Sequence, residues 1–312
     1  MQTDPSTPEA LQAECIADYD CETGENPLWH PMERKLYWTD IPAGRIFRYD
    51  PATGIHEQCY QGRQVGGFTV QSDGSLLLFM DRGTVANLRD GMLTEVLAEI
   101  EDERNSRFND VIADPRGRVF CGTMSSAGKK GCLYRLDLDG SIHLLLTGIQ
   151  CSNGMAFTPD QKGFYYTDSL AREIYLFDYN VEDGGISNQR VFVRFEEADG
   201  FPDGATLDAE GLLWTALWSA GCVARLYERG RIETKLPLPT RKITSLTFGG
   251  DDLTDLYITS AWQVTKEQDG SFAGALFRWR GQAKGVPEFF SRIPVPASAP
   301  AESTTASKTE QV

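Results

Sequence analysis

The 312-residue sequence is poor in the residues from which many hydrolase and zinc sites are built. It contains only three histidines, His30, His56 and His143, and none of them is spaced like a zinc-binding pair. It also lacks a Gly-x-Ser-x-Gly motif and a phosphate-binding glycine loop. These absences argue against a Ser-His-Asp hydrolase.

Positive charge and long apolar runs are also scarce. The chain has 30 Lys and Arg residues against 45 Asp and Glu residues, which gives a net charge of -15 at pH 7. Nucleic acids and anionic membranes are bound by basic patches, and such an acidic chain disfavours both. No segment approaches the roughly 18 consecutive apolar residues that a membrane-spanning helix needs. We therefore expect neither a nucleic acid nor a membrane as a partner.

The seven cysteines form no recognisable framework. Their number is odd, and no Cys-x-x-Cys pair is present. The first residues carry neither a basic stretch nor an apolar run typical of a secretory signal. We expect a reducing, cytoplasmic location, and a monomer or a weak homo-oligomer.

A repeated stretch dominates the sequence. Its clearest copy, residues 152–168, has a short alternating strand, a Pro159-Asp160 turn and a second, aromatic strand. The second strand recurs roughly every 45 residues, around Tyr37, Leu77, Phe120, Tyr165, Trp214 and Tyr257. A third strand closed by a turn follows each copy. This pattern predicts an all-β fold, a six-bladed β-propeller with four antiparallel strands per blade.

The repeat also predicts the domain boundaries. It covers the chain without a linker, so residues 12–293 are predicted to form one propeller domain. We expect residues 12–19 to supply an N-terminal strand that closes the ring. Residues 1–11 are predicted to be a flexible tail, and residues 294–312, rich in Ala, Ser, Thr and Pro, a disordered one.

Polar residues recur at one point of the repeat. Counting back 11 or 12 residues from each aromatic strand leads to Glu25, Gly66, Asn109, Asn153, Asp203 and Ser245. Taken singly, the Asn-Gly and Asp-Gly pairs among them are ordinary turn formers. Together, at equivalent points of a ring, they converge on the axis, where two facing carboxylates require a cation. Their oxygen atoms suit Ca²⁺, Mg²⁺ or Mn²⁺, and Zn²⁺ is tolerated.

The same residues carry a family resemblance. The segments Gly24-Glu25-Asn26-Pro27-Leu28-Trp29, Asn105 to Asp110, Gly122-Thr123-Met124, Ser152-Asn153-Gly154, Tyr166 to Ser169 and Pro202-Asp203-Gly204 resemble motifs of the SMP-30/gluconolactonase/regucalcin family. The likeness runs in order over about residues 15–290. It implies a six-bladed propeller with one divalent metal ion on the axis, and hydrolysis of a sugar lactone to the aldonic acid.

The resemblance also implies roles for single residues. Glu25, Asn153 and Asp203 would be the metal ligands, and Asp203 would also be the general base. Asn109 would lie beside the metal near the substrate, and Arg107 would bind the substrate through its planar guanidinium.

The sequence departs from the family pattern at two places. The loop 125–130 is short and basic, where animal members carry a longer loop with an acidic substrate contact. Asn26 stands where glycine is commoner. The loop leaves the identity of the sugar open but not the metal site, and the change at Asn26 is minor.

Two alternatives to the lactonase remain. One is another ester or phosphotriester hydrolase that uses the same site. The other is a calcium-binding, regucalcin-like propeller without turnover. Trp218 and Trp262 follow their strands directly and are candidates for the rim of a substrate cleft.

Overall fold

The computed structural model describes residues 13–263 and 265–297, and its regular structure is almost entirely antiparallel β-sheet. The α-helix of the described residues, α1, is short (Lys266–Asp269), and no described helix is long and apolar enough to cross a bilayer. Single 3-10 turns cover Glu101–Glu103, Ser169–Ala171, Glu197–Asp199 and Glu228–Gly230. The predicted tail of residues 1–11 lies outside the described residues, as do residues 298–312 of the predicted tail 294–312.

Four separate sheets have four strands each. Strand β1, Glu14–Asp18, precedes them. The first sheet comprises β2 (Gly24–His30), β3 (Lys35–Asp40), β4 (Arg45–Asp50) and β5 (Ile55–Gln61). The second comprises β6 (Val65–Val70), β7 (Leu76–Met80), β8 (Val85–Arg89) and β9 (Met92–Leu97). The third comprises β10 (Phe108–Ala113), β11 (Val119–Thr123), β12 (Gly131–Leu136) and β13 (Ile142–Ile149). The fourth comprises β14 (Ser152–Phe157), β15 (Gly163–Asp168), β16 (Glu173–Asn180) and β17 (Gly185–Arg194).

The remaining strands form one larger sheet. They are β18 (Phe201–Leu207), β19 (Leu213–Trp218), β20 (Cys222–Leu226), β21 (Ile232–Pro237), β22 (Lys242–Gly249), β23 (Asp255–Ala261) and β24 (Ala275–Arg280). With β1 they make an eight-stranded sheet, because Trp218 at the end of β19 pairs with Lys242 at the start of β22. The prediction of six four-stranded blades is therefore wrong. The fold is an all-β, propeller-like arrangement with four separate four-stranded blades and one eight-stranded sheet.

The N-terminal strand pairs with the last strand of the chain. Strand β1 lies antiparallel to β24, with Glu14 opposite Arg278 and Asp18 opposite Ala275. The Arg278 guanidinium donates a hydrogen bond to the Glu14 carboxylate at 2.7 Å. Residues from both ends of the chain thus complete the same part of the sheet, as the sequence predicted for this segment.

A closed ring of strands lines the central channel. We call β2, β6, β10, β14, β18 and β22 the first strands, and each contacts the next around the ring, with β22 contacting β2. Apolar side chains fill the space between successive sheets. Phe120 of β11, for example, packs against Phe157 and Phe164 of the next sheet, with ring centroids 5.5 and 4.9 Å apart. This packing between sheets holds the first strands around the channel.

The C-terminal segment, residues 283–293, crosses the ring at the end where the first strands finish. It places apolar residues against successive core clusters in turn, namely Ala283, Val286, Phe289, Phe290 and Ile293. Its backbone bonds to the last residues of β6, since the Ser291 N–H donates to the Val70 carbonyl at 2.9 Å. The segment therefore ties several sheets together across one mouth of the channel.

We predict that the end of the C-terminal segment contributes strongly to stability. Ile293 is only 3% exposed and packs in the cluster between the second and third sheets. Ile293→Ala should lower the free energy of unfolding by about 2–5 kcal/mol, measured by urea denaturation, because it leaves a cavity in a packed core. Ile55→Ala is the matched control, since Ile55 is 64% exposed. Equal losses for both variants would contradict this role.

Candidate metal and substrate site

Every first strand has an irregularity near its beginning. The pairing register shifts between Glu25 and Leu28, and equivalent shifts follow Val65, Phe108, Asn153, Pro202 and Ile243. A bulge bends the strand and redirects its side chains. The carboxylate and amide residues found by repeat counting all lie at or directly after these shifts. The bulges therefore explain why polar residues sit within strands at one end of the channel, which we call the site end.

Two buried carboxylates lie near each other at the site end. Glu25 is 8% exposed and Asp203 is 6% exposed. Burial, followed by repulsion from Asp110, raises the pKa of Glu25 to about 8. Burial and repulsion from Glu25 raise the pKa of Asp203 well above its ordinary value. These shifts mean that the site destabilises two neighbouring negative charges unless a cation joins them.

Asn153 and Asn109 are linked by a hydrogen bond. The Asn109 amide Nδ2 donates to Asn153 Oδ1 at 2.7 Å and to the Ser152 carbonyl at 2.7 Å. The Asn153 amide Nδ2 donates to Ser169 Oγ at 2.8 Å. These bonds fix the orientation of both amides, and one lone pair of Asn153 Oδ1 remains for another partner.

Arg107 completes this group of side chains. Its Nη1 donates to Asn109 Oδ1 at 2.6 Å and to the Phe108 carbonyl at 2.9 Å. Burial lowers the pKa of the guanidinium, while Glu25 and Asp203 act in the opposite direction. The structure thus brings all five predicted site residues, Glu25, Arg107, Asn109, Asn153 and Asp203, to the same end of the channel.

Glycine allows the first strands to approach closely at the site. Gly154 directly follows Asn153, and a Cβ atom there would lie 2.5 Å from the Asp203 carbonyl oxygen. Gly204 follows Asp203, and a Cβ atom there would lie 2.1 Å from Ser245 Oγ. Side chains at these positions would push the strands apart. The Asn-Gly and Asp-Gly pairs therefore bring Asn153 and Asp203 together, in addition to forming the bulge.

The backbone conformation of Asn26 explains why asparagine can replace the commoner glycine at this position. Its φ is 46°, in the left-handed region that Asn tolerates better than most residues. Its side-chain amide donates to the Phe68 carbonyl at 3.2 Å and accepts from the Phe68 N–H at 3.1 Å. Asn26 therefore links β2 to β6 directly beside Glu25.

The basic loop 125–130 places Lys129 against an acidic residue outside the predicted site. Lys129 pairs with the fully buried Glu103, and its Nζ also donates to the Asp102 carbonyl at 2.7 Å. The Tyr134 hydroxyl donates to the same Glu103 carboxylate at 2.8 Å. Lys129 therefore anchors the turn that precedes Arg107.

The predicted metal ligands fit a divalent ion. Asp203 Oδ1 is buried and has no hydrogen-bond partner, and Asn153 and Glu25 supply further oxygen atoms. The described residues contain no group of three or more His, Cys, Asp and Glu suited to a metal. The set Glu25, Asn153 and Asp203 does not follow that pattern, because an amide stands in place of a third acidic ligand. Oxygen ligands of this kind suit a hard cation.

Sequence reasoning missed two acidic residues next to the site. Asp110 and Glu288 line a cavity of about 50 Å³ in the channel below the two carboxylates. Burial raises the pKa of Asp110 to about 6 and that of Glu288 to about 7. Asp110 directly follows Asn109 within the bulge, so its position near the site could have been predicted from the sequence. Glu288 lies in the C-terminal segment, outside the repeat, where the sequence gives no comparable signal.

The raised pKa of Glu25 predicts a pH dependence of stability in chelator-treated protein. The group loses its proton near pH 4.5 when unperturbed and near pH 8 when folded. Between these values the folded state binds more protons than the unfolded state, so the free energy of unfolding should fall as pH rises. Glu25→Gln should reduce this loss, measured by thermal unfolding in EDTA across this range.

The exposed Glu101 provides the control for this measurement. Its side chain is 84% exposed, so Glu101→Gln should retain the pH dependence of the original protein. If Glu25→Gln and the original protein lose stability equally over the window, Glu25 does not hold its proton as described.

A family model and curated relatives show which family the chain belongs to. A family model described as SMP-30/Gluconolactonase/LRE-like region matches residues 23–262. Pentonolactonase XacC of Haloferax volcanii is 46% identical over 285 residues, which cover 89% of this chain and 97% of that protein. Regucalcin of Danio rerio is 34% identical over 303 residues, with 90% and 98% covered. The solved structure of a luciferin-regenerating enzyme is 29% identical and has a TM-score of 0.83, covering 90% of this chain and 99% of that one.

Proposed function

The chain belongs to the SMP-30/gluconolactonase/LRE-like family, and on that premise we propose that it is a lactonase that hydrolyses a sugar lactone to the aldonic acid with one divalent metal ion. The observation that carries the proposal is the buried, unpartnered Oδ1 of Asp203 beside the buried Glu25. Burying two carboxylates without cationic neutralisation is costly, so their retention at one point of the channel indicates a functional role.

The relatives support the class of substrate. The Haloferax volcanii protein, at 46% identity over nearly its whole length, is named a pentonolactonase. Pentonolactones are therefore the first substrates to test, with hexonolactones next. The substrate is a small molecule, which suits an acidic protein with its polar groups gathered inside a narrow channel.

Glu25, Asn153 and Asp203 would hold the metal ion. Their two carboxylates and one amide provide oxygen ligands, which leaves Ca²⁺, Mg²⁺, Mn²⁺ and Zn²⁺ as candidates. A bound divalent ion would polarise the lactone carbonyl and make a bound water more acidic. Asn109 would hold the Asn153 amide in orientation through the 2.7 Å bond between them.

Asp203 is the proposed general base. A water oxygen attacks the lactone carbonyl carbon while a carboxylate oxygen of Asp203 accepts the water proton. The bond between the carbonyl carbon and the ring oxygen then breaks, and the ring oxygen takes the proton to become a hydroxyl group. The neighbouring Gly204 backbone N–H favours the charged form of the Asp203 carboxylate and so opposes the rise in its pKa. The product is the open-chain aldonic acid.

Arg107 and Asn109 are the proposed substrate-binding pair. The guanidinium is fixed to Asn109 Oδ1 and to the Phe108 carbonyl through Nη1, which leaves its other N–H groups for a ligand. A planar guanidinium can donate two parallel hydrogen bonds to neighbouring oxygens of a sugar or carboxylate. Arg107 would therefore orient the lactone above the carboxylates.

Cellular location and assembly remain predictions. All seven cysteines are free thiols in the structure. We propose that the protein works in the cytoplasm as a monomer or a weak homo-oligomer.

We predict that Asp203→Ala abolishes lactonase activity in a protein that remains folded. The variant loses the general base and one metal ligand, so kcat/KM for a pentonolactone should fall by at least about 10²- to 10⁴-fold. The assay follows acid release with Ca²⁺, Mg²⁺, Mn²⁺ or Zn²⁺, and with EDTA. Circular dichroism checks the fold of each variant.

Controls separate the competing functions. Asp139→Asn should retain activity, because Asp139 bonds only to the neighbouring Ser141 in an exposed turn. Substantial turnover by folded Asp203→Ala protein would refute the mechanism. Metal binding without hydrolysis of any lactone would favour a calcium-binding protein, and turnover only of other esters or phosphotriesters would favour that class of hydrolase.

A further inference from the structure

The first strands have equivalent residues immediately before their register shifts begin. These residues, in chain order, are Gly24, Gln64, Arg107, Ser152, Phe201 and Lys242. Two of the six, Arg107 and Lys242, are cations. Strand β22, which carries Lys242, lies three strands away from β10 in either direction around the ring. The two cations therefore occupy equivalent positions on opposite sides of the channel.

Lys242 lies at the site end, between the strands that carry the two buried carboxylates. Trp218 pairs through its backbone with Lys242 and also with Phe201, two residues before Asp203. On the other side, Thr244 Oγ1 donates to the Gly24 carbonyl at 2.6 Å, next to Glu25. These backbone and side-chain links place Lys242 beside the proposed metal ligands in the ring.

The Lys242 side chain is held by neutral groups. The residue is only 9% exposed. Its Nζ donates to Ser219 Oγ at 3.0 Å and lies 4.7 Å from the centre of the Trp218 ring. Burial lowers the pKa of the ammonium, and the more distant Asp269 opposes that effect. Within residues 13–263 and 265–297, Lys242 forms no ion pair with a carboxylate.

This surrounding is unusual for a buried lysine. Lysine is seldom buried without an anionic partner, because its charge loses hydration. Even the partly exposed Lys129 has an anionic partner, the buried Glu103. An ammonium has three N–H donors, and Ser219 accepts from one of them. The remaining donors of Lys242 are suited to a polar ligand at the mouth of the channel.

We propose that Lys242, held by Trp218 and Ser219, is a second substrate-binding residue that donates to a ring hydroxyl of the lactone opposite Arg107. This inference rests on the proposed function and names the feature that the site would recognise, a lactone ring carrying hydroxyl groups. An unsubstituted lactone offers no such acceptor. Lys242 would thereby set specificity for sugar lactones over simple lactones.

The test compares a pentonolactone with γ-butyrolactone, which has no hydroxyl groups. Lys242→Met retains the apolar stem but not the donors. It should lower the ratio of kcat/KM for the pentonolactone to kcat/KM for γ-butyrolactone by about 10- to 100-fold, the usual effect of losing a charged hydrogen bond. The change should lie mainly in KM for the pentonolactone. Lys242→Arg keeps a cationic donor and should restore much of the ratio.

Lys235→Met is the matched control. Lys235 is more exposed and pairs with Asp199 on the outer part of its sheet, so the variant should keep the original ratio. If Lys242→Met does not fold, Ser219→Ala removes the acceptor that orients the ammonium and should lower the same ratio.

The outcomes separate this inference from the proposed function. If the original protein hydrolyses no lactone with any of the four metals, the proposed function fails. If the original protein is active and folded Lys242→Met, or Ser219→Ala in its place, keeps the ratio within about twofold, Lys242 has no part in recognition and the inference is overturned.

Discussion

The mutual repulsion of two buried carboxylates is the constraint on which the rest of the site depends. Glu25 and Asp203 come from strands far apart in sequence, yet burial and neighbouring negative charges raise the pKa of both carboxyl groups. Hydrophobic packing between sheets fixes the strands that hold them. The fold thus maintains an arrangement that the side chains would not adopt by themselves.

The positions of the site residues could be predicted because the repeat has a structural cause. Each first strand carries its bulge at nearly the same distance from the following aromatic strand. Counting back from the aromatic strand takes 12 residues to reach Glu25 and Asn153, which lie where the register shift begins. It takes 11 residues to reach Asn109 and Asp203, which lie one residue after the start of the shift. Repeat counting therefore located the register shifts of these four strands to within one residue.

The division into sheets could not be read from the same pattern. The repeat has six copies, but the backbone pairing of Trp218 with Lys242 joins the last strand groups into one eight-stranded sheet. That pairing depends on how closely two strand ends approach, and neither residue type encodes it. The C-terminal segment escaped prediction for a related reason. Its apolar residues contact several sheets in extended backbone, and such contacts leave no periodic signal in the sequence.

Two late contacts affect how the chain folds during synthesis. Strand β1 pairs with β24, and residues 283–293 cross the channel. A nascent chain that has emerged only as far as β23 has an unpaired N-terminal strand, and several of its core clusters lack their last apolar residue. Such a chain can assemble individual sheets on the ribosome but still lacks the β1–β24 pairing and the contacts of residues 283–293. The full set of contacts therefore forms only after β24 and residues 283–293 have emerged, and until then β1 presents an unpaired strand edge.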